Sequence, residues 1–243
     1  MIEARTLCKS FGAVAAVRDV SFVAADGCIT GLLGPNGAGK STTLRMLYTV
    51  LRPDAGTALI NSIDASADPI AARAHIGVLT HTAGVYPNLT ARENILYYGE
   101  LQGLAPVERA RRADELIEML EMRDFSDRRA KGFSQGQRVK TALARALVHS
   151  PRNLLLDEPT NGLDVMAVRN LRSLLLRLRE QGHCILFSSH VMQEVTSLCE
   201  QVVVIASGTV IAEGSLDAIR ERTGEPNLEE AFVKLIGSAE GLI

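Results

Sequence analysis

Short apolar runs separated by turn residues open the chain. Residues 17–23, 28–33 and 57–60 are β-prone and bounded by turn formers, which predicts strands, and a helix is expected over 40–51. From Thr90 to His149 the pattern turns helical. Thr90-Ala91-Arg92-Glu93 has the spacing of a capping box, and residues 109–122 are dense in Arg, Glu, Leu and Ala. Residues 154–156, 185–188 and 202–206 follow as short, largely apolar runs, the pattern of strands buried on both faces of a parallel sheet. A helix is expected between the first two of these. Asp164 is its cap, Val165, Val168, Leu171, Leu175 and Leu178 fall on one face, and Gly182 ends it. The alternation of strand and helix predicts an α/β core, with a mixed section before it and a helical insert within it. No repeat, low-complexity tract or linker divides the chain, so these are subdomains of one unit.

Composition narrows the picture. A chain of 243 residues with 47% hydrophobic content can bury a sizeable core. Its formal charge of -2 carries no overall basic bias, which argues against wrapping nucleic acid and leaves a nucleotide and another protein as the expected partners. The opening segment MIEARTLCKSFG has no charged-then-apolar leader, and no apolar run approaches the roughly 18 residues of a membrane span. A membrane-spanning part of any process it serves is therefore expected on another chain. Cys8, Cys28, Cys184 and Cys199 show no CxxC spacing, so neither a zinc site nor a disulfide framework is expected and a reducing cytosol fits.

Candidate chemistry begins at Gly34-Pro35-Asn36-Gly37-Ala38-Gly39-Lys40-Ser41, which satisfies G-x-x-x-x-G-K-[ST] between an expected strand and an expected helix. Glycines let such a loop bend and aim N–H groups at phosphate oxygens, and the helix start adds partial positive charge. Lys40 is expected to neutralise the β and γ phosphates of ATP, Ser41 to ligate Mg²⁺, and Thr42 to contact the α phosphate. The plain alternative is a Gly-rich turn.

Asn153-Leu154-Leu155-Leu156-Asp157-Glu158 is an apolar strand ending in two acids, which places both at the carboxyl edge of the sheet. Asp157 is expected to hold Mg²⁺ through a water and Glu158 to polarise the water that attacks the γ phosphate. His190 follows residues 185–189 in the same way and puts an imidazole at that edge. Singly, these are a solvated acidic turn and a structural histidine. Together with the loop they occupy three strand ends of one presumptive site.

Phe133-Ser134-Gln135-Gly136-Gln137 precedes a helix with Val139, Leu143 and Leu147 on one face. Ser134 and Gln137 again have capping-box spacing, and a capped helix start also presents N–H groups to an anion. With this segment the chain resembles the nucleotide-binding subunits of ABC transporters over nearly its whole length. Residues 34–42 are similar to that family's Walker A loop, 154–157 to its Walker B strand, and 134–137 to its LSGGQ signature, with Gln135 in place of the first glycine. Asn161-Gly162-Leu163-Asp164 resembles the D-loop, His190 the switch histidine, and Phe11 the aromatic that stacks on adenine.

The resemblance implies a P-loop NTPase (RecA-like) core with an antiparallel β subdomain and an inserted α-helical subdomain. The implied bounds are 1–85 for the β subdomain and first part of the core, 86–150 for the helical subdomain, 151–218 for the second part of the core and 219–243 for a helical tail. It implies ATP and Mg²⁺ as cofactors and a head-to-tail dimer in which Ser134 and Gly136 act in trans, with Gln137 and Asp164 also near nucleotide. It further implies an integral-membrane permease as partner, at the cytoplasmic face of the inner membrane.

One position departs from the family. A glutamine usually follows the strand that reads Ile76-Gly77-Val78-Leu79-Thr80, and here it is His81. Neutral imidazole can donate or accept a hydrogen bond, so His81 is either a pH-sensitive substitute or a tolerated surface replacement. The signature and Leu163-Asp164, with the tail Asn227-Leu228-Glu229-Glu230-Ala231-Phe232, are similar to bacterial ABC-2 type exporter subunits, above all the NatA group associated with sodium extrusion. Drug, lipid, polysaccharide or haem export, and a soluble ABC ATPase acting on ribosomes or DNA, are the alternatives.

Overall fold

The computed structural model describes residues 1–82 and 84–240. Its strands are β1 (Ile2–Phe11), β2 (Val14–Ala24), β3 (Ile29–Leu33), β4 (Ala55–Ile60), β5 (Ile63–Asp64), β6 (Ile76–Leu79), β7 (Asn153–Asp157), β8 (Cys184–Ser189), β9 (Gln201–Ala206) and β10 (Thr209–Ser215). Its α-helices are α1 (Lys40–Leu47), α2 (Pro69–Ala74), α3 (Ala91–Leu101), α4 (Pro106–Met119), α5 (Gln135–Leu147), α6 (Val165–Glu180), α7 (Met192–Leu198), α8 (Leu216–Thr223) and α9 (Leu228–Glu240). No helix among the described residues is long and apolar enough to cross a membrane.

The strands form two sheets: an antiparallel one ordered β2-β1-β4-β5 and a larger one ordered β10-β9-β3-β8-β7-β6, parallel except for its β10 edge. Every residue of β3, β7 and β8 is buried, because the larger sheet separates two cores. Ile29, Leu154, Leu156, Ile185 and Phe187 point into the core shared with α3 to α6. Leu32, Leu155, Leu186 and Val203 point into the other, shared with the antiparallel sheet and α1. Alternate residues of each strand thus serve opposite cores, which is why the runs contain no polar half.

Register then sets the geometry of the site. Leu33 pairs with Ser189 and Asp157 with Ser188, so β3, β8 and β7 end side by side at one carboxyl edge. Parallel pairing brings residues distant in sequence to this edge, where open α/β sheets bind ligands.

Several elements differ from the sequence-based expectation. The helix expected over 40–51 stops at Leu47: Thr49 takes a φ of 67°, and the Val50 and Leu51 N–H groups turn back to the Arg45 carbonyl. The helix expected over 109–122 starts earlier, at Pro106, whose fixed φ suits a first turn, and ends before Glu121 at a φ of 52°. Strand β2 outruns the expected 17–23 at both ends. Strand β1 was not expected at all, because Thr6, at a φ of 48°, interrupts its alternation where its register with both neighbours slips. On α6 the buried face is Leu171, Leu174, Leu175 and Leu178, while Val165 is 83% exposed in the first turn, before the helix reaches the core. The tail expected over 219–243 falls on the end of α8, which begins at Leu216, and on α9, and residues 241–243 lie outside the described residues.

Candidate functional site

The loop after β3 is shaped by close approach of backbone to backbone. A side chain on Gly34 would begin 2.2 Å from the Ile205 carbonyl oxygen, and one on Gly39, at a φ of 105°, would begin 2.6 Å from that of Ala16. Gly39 is also the N-cap of α1 and supplies no side-chain cap, so the opening N–H groups of the helix are left for another acceptor. An open cleft of about 410 Å³ lies against this turn, lined by Asn36, Gly37, Ala38, Gly39, Lys40, Ser41 and Thr42 from the loop and helix start.

Lys40 is 6% exposed. Its ammonium donates to the carbonyls of Gly34 at 2.7 Å and Pro35 at 3.1 Å, and lies 3.8 Å from Glu158 Oε1. Burial holds its pKa below the ordinary lysine value, while the charges of Glu158 and Asp157 pull the other way. The lysine is thus a desolvated cation whose direct hydrogen bonds go to carbonyls of its own loop.

The next residue joins the loop to β7. Ser41 Oγ donates to Asp157 Oδ1 at 3.1 Å, and Ser188 Oγ donates to the same oxygen at 2.8 Å. Asp157 is buried, so these two hydroxyls compensate part of its desolvation. Glu158 follows at a φ of 51°, a left-handed conformation that costs a non-glycine residue about 1 to 3 kcal/mol. Ser188 pins it there: the Glu158 N–H reaches the Ser188 carbonyl at 3.2 Å and its Oγ at 3.0 Å. The turn directs the carboxylate across the cleft to His190, whose Nδ1 donates to Glu158 Oε2 at 2.8 Å.

The structure therefore gathers the loop residues from Asn36 to Thr42, Asp157, Glu158, His190 and His81 around one cleft. Phe11 is 51% exposed at the end of β1 and does not line the cleft, although Ala16 of the following strand does. Ser134, Gly136, Gln137 and Asp164 do not line it either. Ser134 and Gln137 form the expected capping box at the start of α5, and Asp164 caps α6 by accepting from the Ala167 N–H at 2.8 Å. Those two helix starts adjoin, since a side chain on Gly136 would begin 3.6 Å from Ala167 Cβ. Sequence reasoning missed Ser188, Ala16 and Arg45, whereas Asn161, read as part of the D-loop, also lines the cleft. Ser188 alone carried a signal, since with Ser189 it closes an apolar run in hydroxyls.

The family described as ABC transporter matches residues 17–161. The chain belongs to the ABC transporter family. This ABC cassette is 42% identical to the ABC transporter ATP-binding protein NatA of Bacillus subtilis (strain 168), over 90% of each chain. It is 37% identical to the lipopolysaccharide export system ATP-binding protein LptB of Acidithiobacillus ferridurans, over 88% of the cassette and 90% of the relative. Among solved structures it superposes on an ATP-binding subunit of an ABC transporter with a TM-score of 0.89 at 29% identity, covering 97% of this chain and 99% of that one. A dimeric post-hydrolysis state of an ATP-binding cassette bound to ADP and Pi matches with a TM-score of 0.80 at 26% identity, covering 88% and 98%. The cassette has the P-loop NTPase fold of these neighbours and is an ATP-binding ATPase of the transporter kind.

Proposed function

We propose that the chain hydrolyses ATP in the cleft beside Lys40, as one half of a head-to-tail dimer, and so powers export through a separate membrane permease. The observation that carries this reading is the Glu158 carboxylate, which lies between the ammonium of Lys40 and the imidazole of His190 in the cleft beside the glycine-rich loop.

The chemistry follows from the groups present. Lys40 exchanges its two loop carbonyls for phosphate oxygens, trading neutral acceptors for anionic ones that attract the ammonium more strongly. Glu158 accepts a proton from the attacking water, and the His190 contact fixes which way its carboxylate faces. Ser41 Oγ and Asp157 Oδ1 converge as hard oxygen donors, the kind that Mg²⁺ takes, and they would hold it, Asp157 through a water. When bound, that ion neutralises charge on the phosphate oxygens.

Ser134, Gly136, Gln137 and Asp164 lie off this cleft, which supports their acting on nucleotide held by a second copy. Phe11 is exposed where it could stack on adenine, and Thr42 at the α1 start could meet the α phosphate. The permease reading rests on family membership, with the cassette at the cytoplasmic face of the inner membrane. The resemblance of the signature and tail to the NatA group, associated with sodium extrusion, favours sodium ions as cargo, and nucleic acid is not expected as a partner.

Steady-state turnover tests the central claim. Lys40→Ala should weaken ATP binding, and Glu158→Gln should keep ATP bound, abolish turnover and accumulate dimer in ultracentrifugation. Ordinary turnover by Glu158→Gln removes that residue as the base. Ser134→Arg should spare binding by the monomer and block dimer formation. For the cargo, co-expression with the permease it binds should lower intracellular sodium; unchanged sodium with altered drug or lipid efflux would reassign it.

A further inference from the structure

His81 follows β6 and Gln135 opens α5, and neither side chain has a hydrogen-bond or ion-pair partner among the described residues. They line the same two clefts. One, of about 540 Å³, also carries Arg138, Asn161 and Gly162. The other is too narrow to admit a water and carries Val139, Glu158 and Pro159. His81 also lines the phosphate cleft beside Lys40, Asp157 and His190. It stands, with Asn161, where all three clefts meet.

Gln135 is not needed to start α5, because Ser134 and Gln137 already form the capping box there. Its Cγ lies 3.6 Å from where a side chain on Gly162 would begin, so its chain lies over the loop that follows Glu158. A carboxamide offers both donors and an acceptor, and neutral imidazole offers one of each, so either tautomer of His81 can bond to it. Both side chains are exposed, so pairing replaces their bonds to water with a bond between complementary groups.

We propose that His81 and Gln135 pair across the narrower cleft as positioning residues, tying the phosphate cleft of one chain to the Ser134 end of its own α5. The loop holding His81 and the helix start then move together when nucleotide occupies the cleft. This rests on the ATPase reading above.

A double-mutant cycle on the full chain tests it, with ATPase kcat and KM measured for His81→Ala, Gln135→Ala and the double variant. Each single change should lower kcat about tenfold with KM for ATP moved less than about twofold, and the double should be no slower than the worse single. His81→Gln should recover most of the rate, since a second carboxamide can still pair. Effects that multiply in the double, or single variants at the wild-type rate, overturn the proposal. The same cycle read on the rise in Tm with a non-hydrolysable ATP analogue needs no turnover. Coupling there with no hydrolysis by the wild type would sink the ATPase reading alone, whereas additivity there sinks the pair.

Discussion

Ser188→Ala should damage both the stability and the turnover of this cassette. The hydroxyl is fully buried, donates to Asp157 at 2.8 Å and accepts from the Glu158 N–H at 3.0 Å. A hydrogen bond to an ionised acceptor contributes about 1.5 to 3 kcal/mol. The Glu158 N–H keeps the Ser188 carbonyl at 3.2 Å and Asp157 keeps Ser41 at 3.1 Å, which holds the expected loss near the middle of that range, about 2 kcal/mol. For a chain of this size that lowers Tm by roughly 4 to 8 °C. Turnover should fall at least about tenfold, because the left-handed turn at Glu158 loses one of its two acceptors. Thermal unfolding and steady-state ATPase assays read the two effects. Ser173→Ala is the control: its exposed hydroxyl donates to the Arg169 carbonyl, and its loss should cost less than about 0.5 kcal/mol. A Ser188→Ala protein that melts and turns over like the wild type would refute the claim that Ser188 holds the two acids in place.

Three further predictions address other parts of the molecule. Gly39→Ala should destabilise by about 2 kcal/mol or more and abolish ATP binding measured by calorimetry, since its Cβ would begin 2.6 Å from the Ala16 carbonyl at a φ of 105°; binding at wild-type affinity contradicts this. Burial holds the His149 imidazole below its ordinary pKa, against a smaller opposing effect of the Ile76 carbonyl. The unfolded chain therefore takes up that proton at about pH 6.5 and the native chain only at lower pH, so stability is lost as pH falls below about 6.5. His149→Gln should flatten denaturant stability between roughly pH 6.5 and 5, leaving the slope from His183, which burial lowers in the same direction; an unaltered slope refutes the assignment. Burial pushes the Cys184 thiol up to about 12 and raises Cys199 as well. Mass spectrometry after native-state alkylation at about pH 8 should find both unmodified, and rapid labelling of either would contradict their burial.

How legible each feature was in the sequence depends on the reach of the interactions that make it. The capping boxes at Thr90 and Ser134 and the cap at Asp164 are formed within four consecutive residues, and the structure has all three where their spacing put them. The runs inside β3, β7 and β8 were equally readable, since a strand buried on both faces has no polar half to hide its signal. Strand β1 was not, because a bulge broke its period, and the last turn of α1 was not, because backbone bonds to the Arg45 carbonyl ended the helix without a breaker residue.

The site divides along the same line. The glycine loop with Lys40 and Ser41 is a local motif, and Asp157, Glu158 and His190 were visible as polar residues ending apolar strands. Their meeting is not local. Ser41 and Asp157 are 116 residues apart and touch only because β3, β8 and β7 pair in parallel with their ends level. That sheet order also made Ser188 the support of both acids, a relation that no window of neighbouring residues contains. The sequence by itself determined the short-range chemistry, the caps, the phosphate loop and the apolar runs, because bonds within a turn or a strand need no partner segment. The tertiary structure decided which strand ends share a cleft and which hydroxyl holds which acid, because long-range pairing is chosen by the burial of both sheet faces together.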